Sequence, residues 1–303
     1  MAARGRLLQA AALIVLAAIL ATVVIAALNK HSANSGHGGT GGAKGLLVVV
    51  TFPNLVDDIR PLLCGGDRVV SLVPPGVDPH EFQLTPSALR LAREADLVVS
   101  TGHAPFEVKL RDVIDPSRLV EIPRIKGIRL LVNPVTGQPN YHMPIYDPSN
   151  YKRFIAYIAE RLAALRPGCK AKYMRNAERI LEEVDTVVAA APRLSAVAVG
   201  SAPPVQYAVQ WLNVTVAWLL IPEPGVSPTP GEVGKARSLL EEGAIAVVMS
   251  SRGGLATPAD TKLAEMAKEY GRPLLRVPAP YSPGSVLEKL RVVAREAEEL
   301  ASQ

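Results

Sequence analysis

The stretch Val69 to Gly102, VVSLVPPGVDPHEFQLTPSALRLAREADLVVSTG, constrains the fold more than any other part of the chain. Val69 to Val73 is a short apolar run that predicts a buried strand. Pro74, Pro75 and Gly76 end it, because proline has no amide hydrogen for a ladder and glycine lets the backbone turn. Thr85-Pro86-Ser87 places a capping hydroxyl before a proline at the first helical position, which predicts a helix to about Ala95. Asp96 to Thr101 is the next strand. Strand, loop, helix and strand in so short a span predict a parallel α/β sheet, whose ligand crevice lies beyond the strand ends. Asp78-Pro79-His80-Glu81 falls in that loop, so His80 stands where a ligand group belongs.

The same alternation runs through the rest of the body. Leu46 to Thr51 predicts a strand, and Pro53 to Leu63 a helix closed by Gly65-Gly66. Val108 to Val113 reads as helix or turn, Leu119 to Ile122 and Ile128 to Val132 as short strands, and Asn133 to Tyr141 as loop. Asp147-Pro148-Ser149-Asn150 opens a helix that runs to Leu165. Lys170 to Val188 is a long amphipathic helix with Tyr173, Ala177, Ile180, Leu181 and Val184 on one face. From about Leu194 strands and helices alternate again to Ala301. The 303 residues have room for two lobes, each with its own core. The predicted fold is α/β: lobes 46–165 and 193–303, with mainly parallel sheets, joined by one long helix within 166–192.

Ahead of the body, Ala10 to Leu28 carries no charge and is long enough to cross a bilayer as a helix. Arg4 and Arg6 precede it and no acidic residue occurs before Asp57, which predicts a cytoplasmic N-terminus and an external body. An uncleaved anchor over 1–28 is the favoured reading and a cleaved signal peptide its rival. Residues 29–45, rich in Gly, Ser and Asn, read as a flexible linker, and His31 and His37 as solvated linker residues. The net charge of +5 is not gathered into a basic patch or an aromatic-rich basic motif, which excludes a nucleic-acid partner. Cys64 and Cys169 either pair, as an external compartment permits, or stay apart as buried thiols.

LVPPGVDPHEFQLTP and ADLVVSTG together resemble the signature of the solute-binding proteins of zinc and manganese ABC importers. That resemblance extends over roughly Leu46 to Ala301 and implies a two-lobed receptor with a rigid helical backbone. It implies that His80 is a metal ligand. His142, shortly before Asp147-Pro148-x-Asn150, matches a second ligand histidine, with Pro144-Ile145-Tyr146 one residue longer than the usual spacing. The third ligand position falls on Ala202, five residues before Tyr207, and the fourth falls in Pro278 to Ser282, which offers only hydroxyls. The second-lobe ligand set is therefore reduced. His103, after the strand that follows His80, stands on a neighbouring loop of the same sheet edge and is the further candidate; three imidazoles and a water suit zinc, copper or nickel. Asp78 either orients the His80 ring or caps its loop, and Glu107 matches a glutamate common in the family or is a solvated helix-start carboxylate.

These readings imply a membrane-anchored, monomeric, extracytoplasmic solute-binding component that carries a zinc or manganese ion to an ABC permease, without an organic cofactor. The alternative is a paralogue of the same fold that has lost the metal and binds another solute, or acts as an accessory partner at the membrane. An enzyme is excluded by the absence of a G-x-S-x-G elbow, a G-x-G-x-x-G turn after a strand and a P-loop lysine.

Overall fold

The computed structural model describes residues 45–74, 82–251 and 254–302. His80, Asp78, the linker histidines and the apolar segment Ala10 to Leu28 lie outside them. Among the described residues no helix is long and apolar enough to cross a membrane.

The first sheet contains β1 (Leu47–Val50), β2 (Arg68–Ser71), β3 (Leu97–Ser100) and β4 (Leu119–Glu121), in the order β2-β1-β3-β4 and parallel throughout. Every residue of β1 and β3 is buried, as expected of parallel strands covered on both faces. Three short helices follow strands here: α1 (Asn54–Ile59), α2 (Pro86–Glu94) and α3 (Pro105–Leu110). Thr85 caps α2 by accepting the Ala88 N–H, with Pro86 at the first helical position. Past α1 a single 3-10 turn and a glycine at positive φ, Gly66 at 86°, return the chain toward β2.

Two long helices come next. In α4 (Pro148–Leu165) Asp147 accepts the Asn150 N–H as cap. The Asn150 side chain then bonds both the N–H and the C=O of Arg129. The D-P-x-N start thus pins a remote loop segment as well as opening a helix. Tyr173, Ala177, Ile180 and Val184 form the buried stripe of α5 (Lys170–Ala190), which packs on α4.

The second sheet repeats the first. It contains β5 (Ala196–Gly200), β6 (Val214–Leu219), β7 (Ile245–Ser251) and β9 (Leu274–Pro278), in the order β6-β5-β7-β9, all parallel. A two-residue strand β8 (Gly254–Leu255) adds an antiparallel hairpin to β7. The helices are α6 (Pro204–Val209), α7 (Pro230–Glu241), α8 (Pro258–Glu269) and α9 (Val286–Ala301), and α9 packs on α5.

Two expectations need correction. Ile128 to Val132 is not a strand: it makes one isolated bridge, Val132 to Pro139, and bonds side chains instead. Leu131 donates to the Tyr207 hydroxyl, and Val132 accepts from the Gln206 amide, both on α6. Nor does each lobe have a separate core. One continuous apolar cluster runs from Val48 and Leu97 through Tyr151 and Tyr173 to Val247 and Leu290. Only the far face of the first sheet, with Leu47, Val49, Ala92 and Val98, forms its own. The interlobe helices turn apolar residues toward both lobes, so the cluster continues past the few buried polar groups at the junction, such as Asp58 and Lys289.

Candidate metal centre

The ends of the parallel strands of both sheets converge on the segment that carries His142. Residues 131–146 dock on the second lobe: Asn133 donates to the Pro222 carbonyl, and the Tyr146 hydroxyl donates to the Pro278 carbonyl at 2.6 Å. Tyr207, whose hydroxyl donates to the Asn140 carbonyl, is pushed up to about 12, chiefly by burial. Met143, directly after His142, adopts a left-handed backbone at φ 55°, a conformation that a side chain of its kind rarely takes and that surrounding contacts must hold.

The tautomer of His142 follows from its neighbours. Asn140 is buried, and its Nδ2 donates to the Pro203 carbonyl and to Gln206 Oε1, both at 2.8 Å. A carbonyl can only accept, so the other atom of that amide is Oδ1. Oδ1 accepts the His142 backbone N–H at 2.9 Å and lies 3.2 Å from the ring Nδ1. Nδ1 therefore carries the hydrogen, and the neutral ring presents its lone pair at Nε2. This is how a metal-binding imidazole is usually oriented from behind.

His103 is set in the same way. Gly102 (φ 79°) turns the chain off β3, and the next residues wrap around Glu107. That carboxylate is buried and accepts from Ser100 Oγ, both the N–H and the Oγ1–H of Thr101, and the N–H groups of His103 and Ala104. The reading of Glu107 as a solvated carboxylate is thus overturned, because five donors compensate its burial. With the Thr101 hydroxyl hydrogen committed to Glu107, its oxygen accepts from His103 Nδ1 at 3.1 Å. The lone pair of His103 is again at Nε2. We expect Glu107→Gln to lower stability by about 2–4 kcal/mol, since an amide NH₂ would face buried donors. Urea unfolding measures this; a loss below about 1 kcal/mol would show that the loop does not depend on the carboxylate.

The His103 and His142 rings lie edge to face, with centroids 4.8 Å apart, and His103 stacks at 6.4 Å on the buried Phe52. His142 Nε2 is 3.1 Å from Oε2 of Glu223, which stands past the end of β6 in the second lobe. Two of the three histidines singled out in the sequence are thus together, and the third, His80, lies outside the described residues. Ala202 is buried and brings only a methyl group. Glu223 was missed: it belongs to the Pro-rich crossing 221–231, and the only signal for it was its place just beyond a strand end. Among the described residues no three His, Cys, Asp or Glu side chains form a ready-made ion cage. The imidazole pair and the carboxylate share His142, and a further donor or a small approach must complete coordination.

The chain matches the family described as zinc-uptake complex component A, periplasmic, over residues 48–278. It is 29% identical over 181 residues to the iron-binding protein YfeA of Yersinia pestis, covering 58% of this chain and 56% of that one. The chain thus spans little more than half the length of that curated relative. Among solved structures it is similar to the solute-binding protein FpvC of Pseudomonas aeruginosa in complex with Mn2+, at TM-score 0.67 and 20% identity, covering 84% of this chain and 99% of that one. It is also similar to the Mn-bound periplasmic metal-binding protein of Candidatus Liberibacter asiaticus, at TM-score 0.65 and 21% identity, covering 84% and 99%. At such identities these two structures establish the shared two-lobed fold. The family match spans well over half of the chain, and the chain belongs to the family of periplasmic zinc-uptake component A proteins.

Proposed function

We propose that the chain is the extracytoplasmic solute-binding component of an ABC importer, and that it captures one zinc or manganese ion for delivery to a membrane permease. The observation that carries this reading is the His103–His142 pair, 4.8 Å apart beyond the strand ends, in a chain of this family. Each ring is held through Nδ1, which leaves Nε2 as the coordinating atom. The centroids of two imidazoles on one ion stand about 4.5–5.2 Å apart when each nitrogen is about 2.1 Å from it, so the pair fits. His80 is the third ligand on the strength of its D-P-H loop. The members of this family are receptors, and the work here is binding and release.

In this reading Ala10 to Leu28 anchors a monomeric body outside the cytoplasm, and 46–165 and 193–303 are the lobes on either side of the helix within 166–192. Hydrogen bonds across the lobes at Tyr146, Tyr207 and Asn133 favour small tilting motions over wide closure. The test is calorimetric titration of the full-length chain, in detergent and stripped by chelator, with Zn2+ and with Mn2+. One ion per chain is expected, with affinity at least about 100-fold weaker in His80→Ala and in His142→Ala. No heat at micromolar ion in the unaltered protein would sink the metal assignment.

A further inference from the structure

We propose that Glu223 is the second lobe's ligand to the transported ion, supplied from the loop after β6. The inference rests on the metal-receptor reading above and adds to it a ligand that bridges the lobes.

The first support is the repeat of one strand arrangement in the two lobes. Thr51 N–H bonds the Val99 carbonyl as Ser201 N–H bonds the Val247 carbonyl, at 3.0 and 2.9 Å. Val73 N–H bonds the Thr51 carbonyl as Ile221 N–H bonds the Ser201 carbonyl, at 3.2 and 3.1 Å. Thr51 and Ser201 are therefore equivalent positions, and so are Val73 and Ile221. Each of the latter is followed by a proline, Pro74 in one lobe and Pro222 in the other. The exit from β6 that carries Glu223 is thus the counterpart of the exit from β2, on the crevice side of its own sheet.

The second support is the atom that Glu223 meets. Because His142 Nδ1 donates to Asn140, a neutral ring directs a lone pair, not a hydrogen, toward the carboxylate oxygen 3.1 Å away. Two such electron-rich atoms repel unless a cation lies between them, either a proton or a metal ion. Donors about 2.1 Å from one ion stand roughly 3.0–3.4 Å apart at octahedral or tetrahedral angles. The observed separation is already that of two ligands on one ion. As an ion pair alone the contact would add little, since the Glu223 side chain is 59% exposed.

Brought onto one ion by the small approach that the present separations require, His103, His142 and Glu223 would give two nitrogens and one oxygen, which suits a divalent first-row ion of borderline to hard character, such as zinc, iron or manganese. The ion would then join the lobes through a carboxylate from the second.

The test uses full-length protein titrated with Zn2+, and with Co2+ for its visible spectrum. In Glu223→Gln the amide can still hydrogen-bond His142 but coordinates poorly. We expect its affinity to fall about 30- to 100-fold, with an altered Co2+ band and an unchanged unfolding midpoint, and Glu223→Asp to recover part of the loss. Affinity and spectrum within twofold of the unaltered protein in Glu223→Gln, while His142→Ala abolishes binding, would overturn this inference and leave the receptor reading intact. Failure of the unaltered protein to bind either ion would overturn both.

Discussion

Replacing both Cys64 and Cys169 by serine is expected to lower the unfolding free energy by about 4–5 kcal/mol, the largest effect of any change proposed for this chain. The two cysteines form a disulfide across 105 residues. A crosslink stabilises chiefly by restricting the unfolded chain, and a loop of that length corresponds to about 4.7 kcal/mol in the chain-entropy view. The bond ties the turn after α1 to the residue that precedes α5, so it closes a loop containing most of the first lobe. Beside it Asp67 accepts from Leu46 N–H, Cys64 N–H, Arg166 and the Tyr173 hydroxyl. Burial alone would raise that carboxyl, but these donors, Tyr173 foremost, hold it below the usual range. The native geometry around the bond therefore persists without it, and the loss falls on the unfolded state. Urea unfolding of the double variant and of the reduced protein measures it. A shift under about 1 kcal/mol in both would mean that the unfolded chain is already confined in that region.

The strands, the helix caps and the buried stripe of α5 were legible because their cause is local. A short unbroken apolar run, a capping oxygen before proline and a 3.6-residue apolar period all lie within a few residues of one another. Thr85, Asp147 and the Tyr173–Val184 face were found that way. What escaped notice depends on partners far along the chain. Ile128 to Val132 has strand-like composition, yet its backbone is satisfied by Asn150 and by Tyr207 and Gln206 of the other lobe. Glu107 looks like any helix-start acid until the loop before α3 folds back on it. At the site, His103 and His142 were identified as separate candidates, but their shared hydrogen-bonding logic needs Thr101 and Asn140 in place. Glu223 stands 81 positions from His142, and only the repetition of the first sheet by the second aligns it with the crevice. The pairing of Cys64 with Cys169 stayed open for the same reason: sequence separation says nothing about the helix that brings them together.

Stability is expected to fall as pH rises from about 4 to 7, and Asp58→Asn is expected to remove most of that fall. Asp58, on α1, is wholly buried; it accepts from the Tyr151 hydroxyl at 2.9 Å and from Val286 N–H at 2.7 Å, both through Oδ1. Oδ2 has no hydrogen-bond partner among the described residues, so a proton there would displace no bond. Burial raises the carboxyl from its ordinary 3.8 to about 7, while Val286, the Lys289 ammonium and Tyr151 oppose the rise and Asp57 adds to it. Below about 4 both folded and unfolded chains hold this proton, so the full stability is present. Between 4 and 7 the unfolded chain gives up its proton while the folded one keeps it, and above 7 both are ionised. The folded state thus loses up to about 4 kcal/mol as pH rises through this window, at 1.36 kcal/mol per pKa unit. An asparagine places its NH₂ where the protonated oxygen stands and keeps Oδ1 for Tyr151 and Val286. It should therefore leave stability at pH 5 nearly unchanged and raise it at pH 8 by about 2–4 kcal/mol. Val286 opens α9 of the second lobe and Tyr151 belongs to α4 of the first, so the buried carboxyl joins the lobes, and the cost of its ionisation is the desolvation of the charge there. Urea unfolding at pH 5, 6.5 and 8 compares the two proteins directly. A difference between them that stays constant across the three pH values would show that Asp58 remains ionised in the folded protein, with Lys289 compensating its charge.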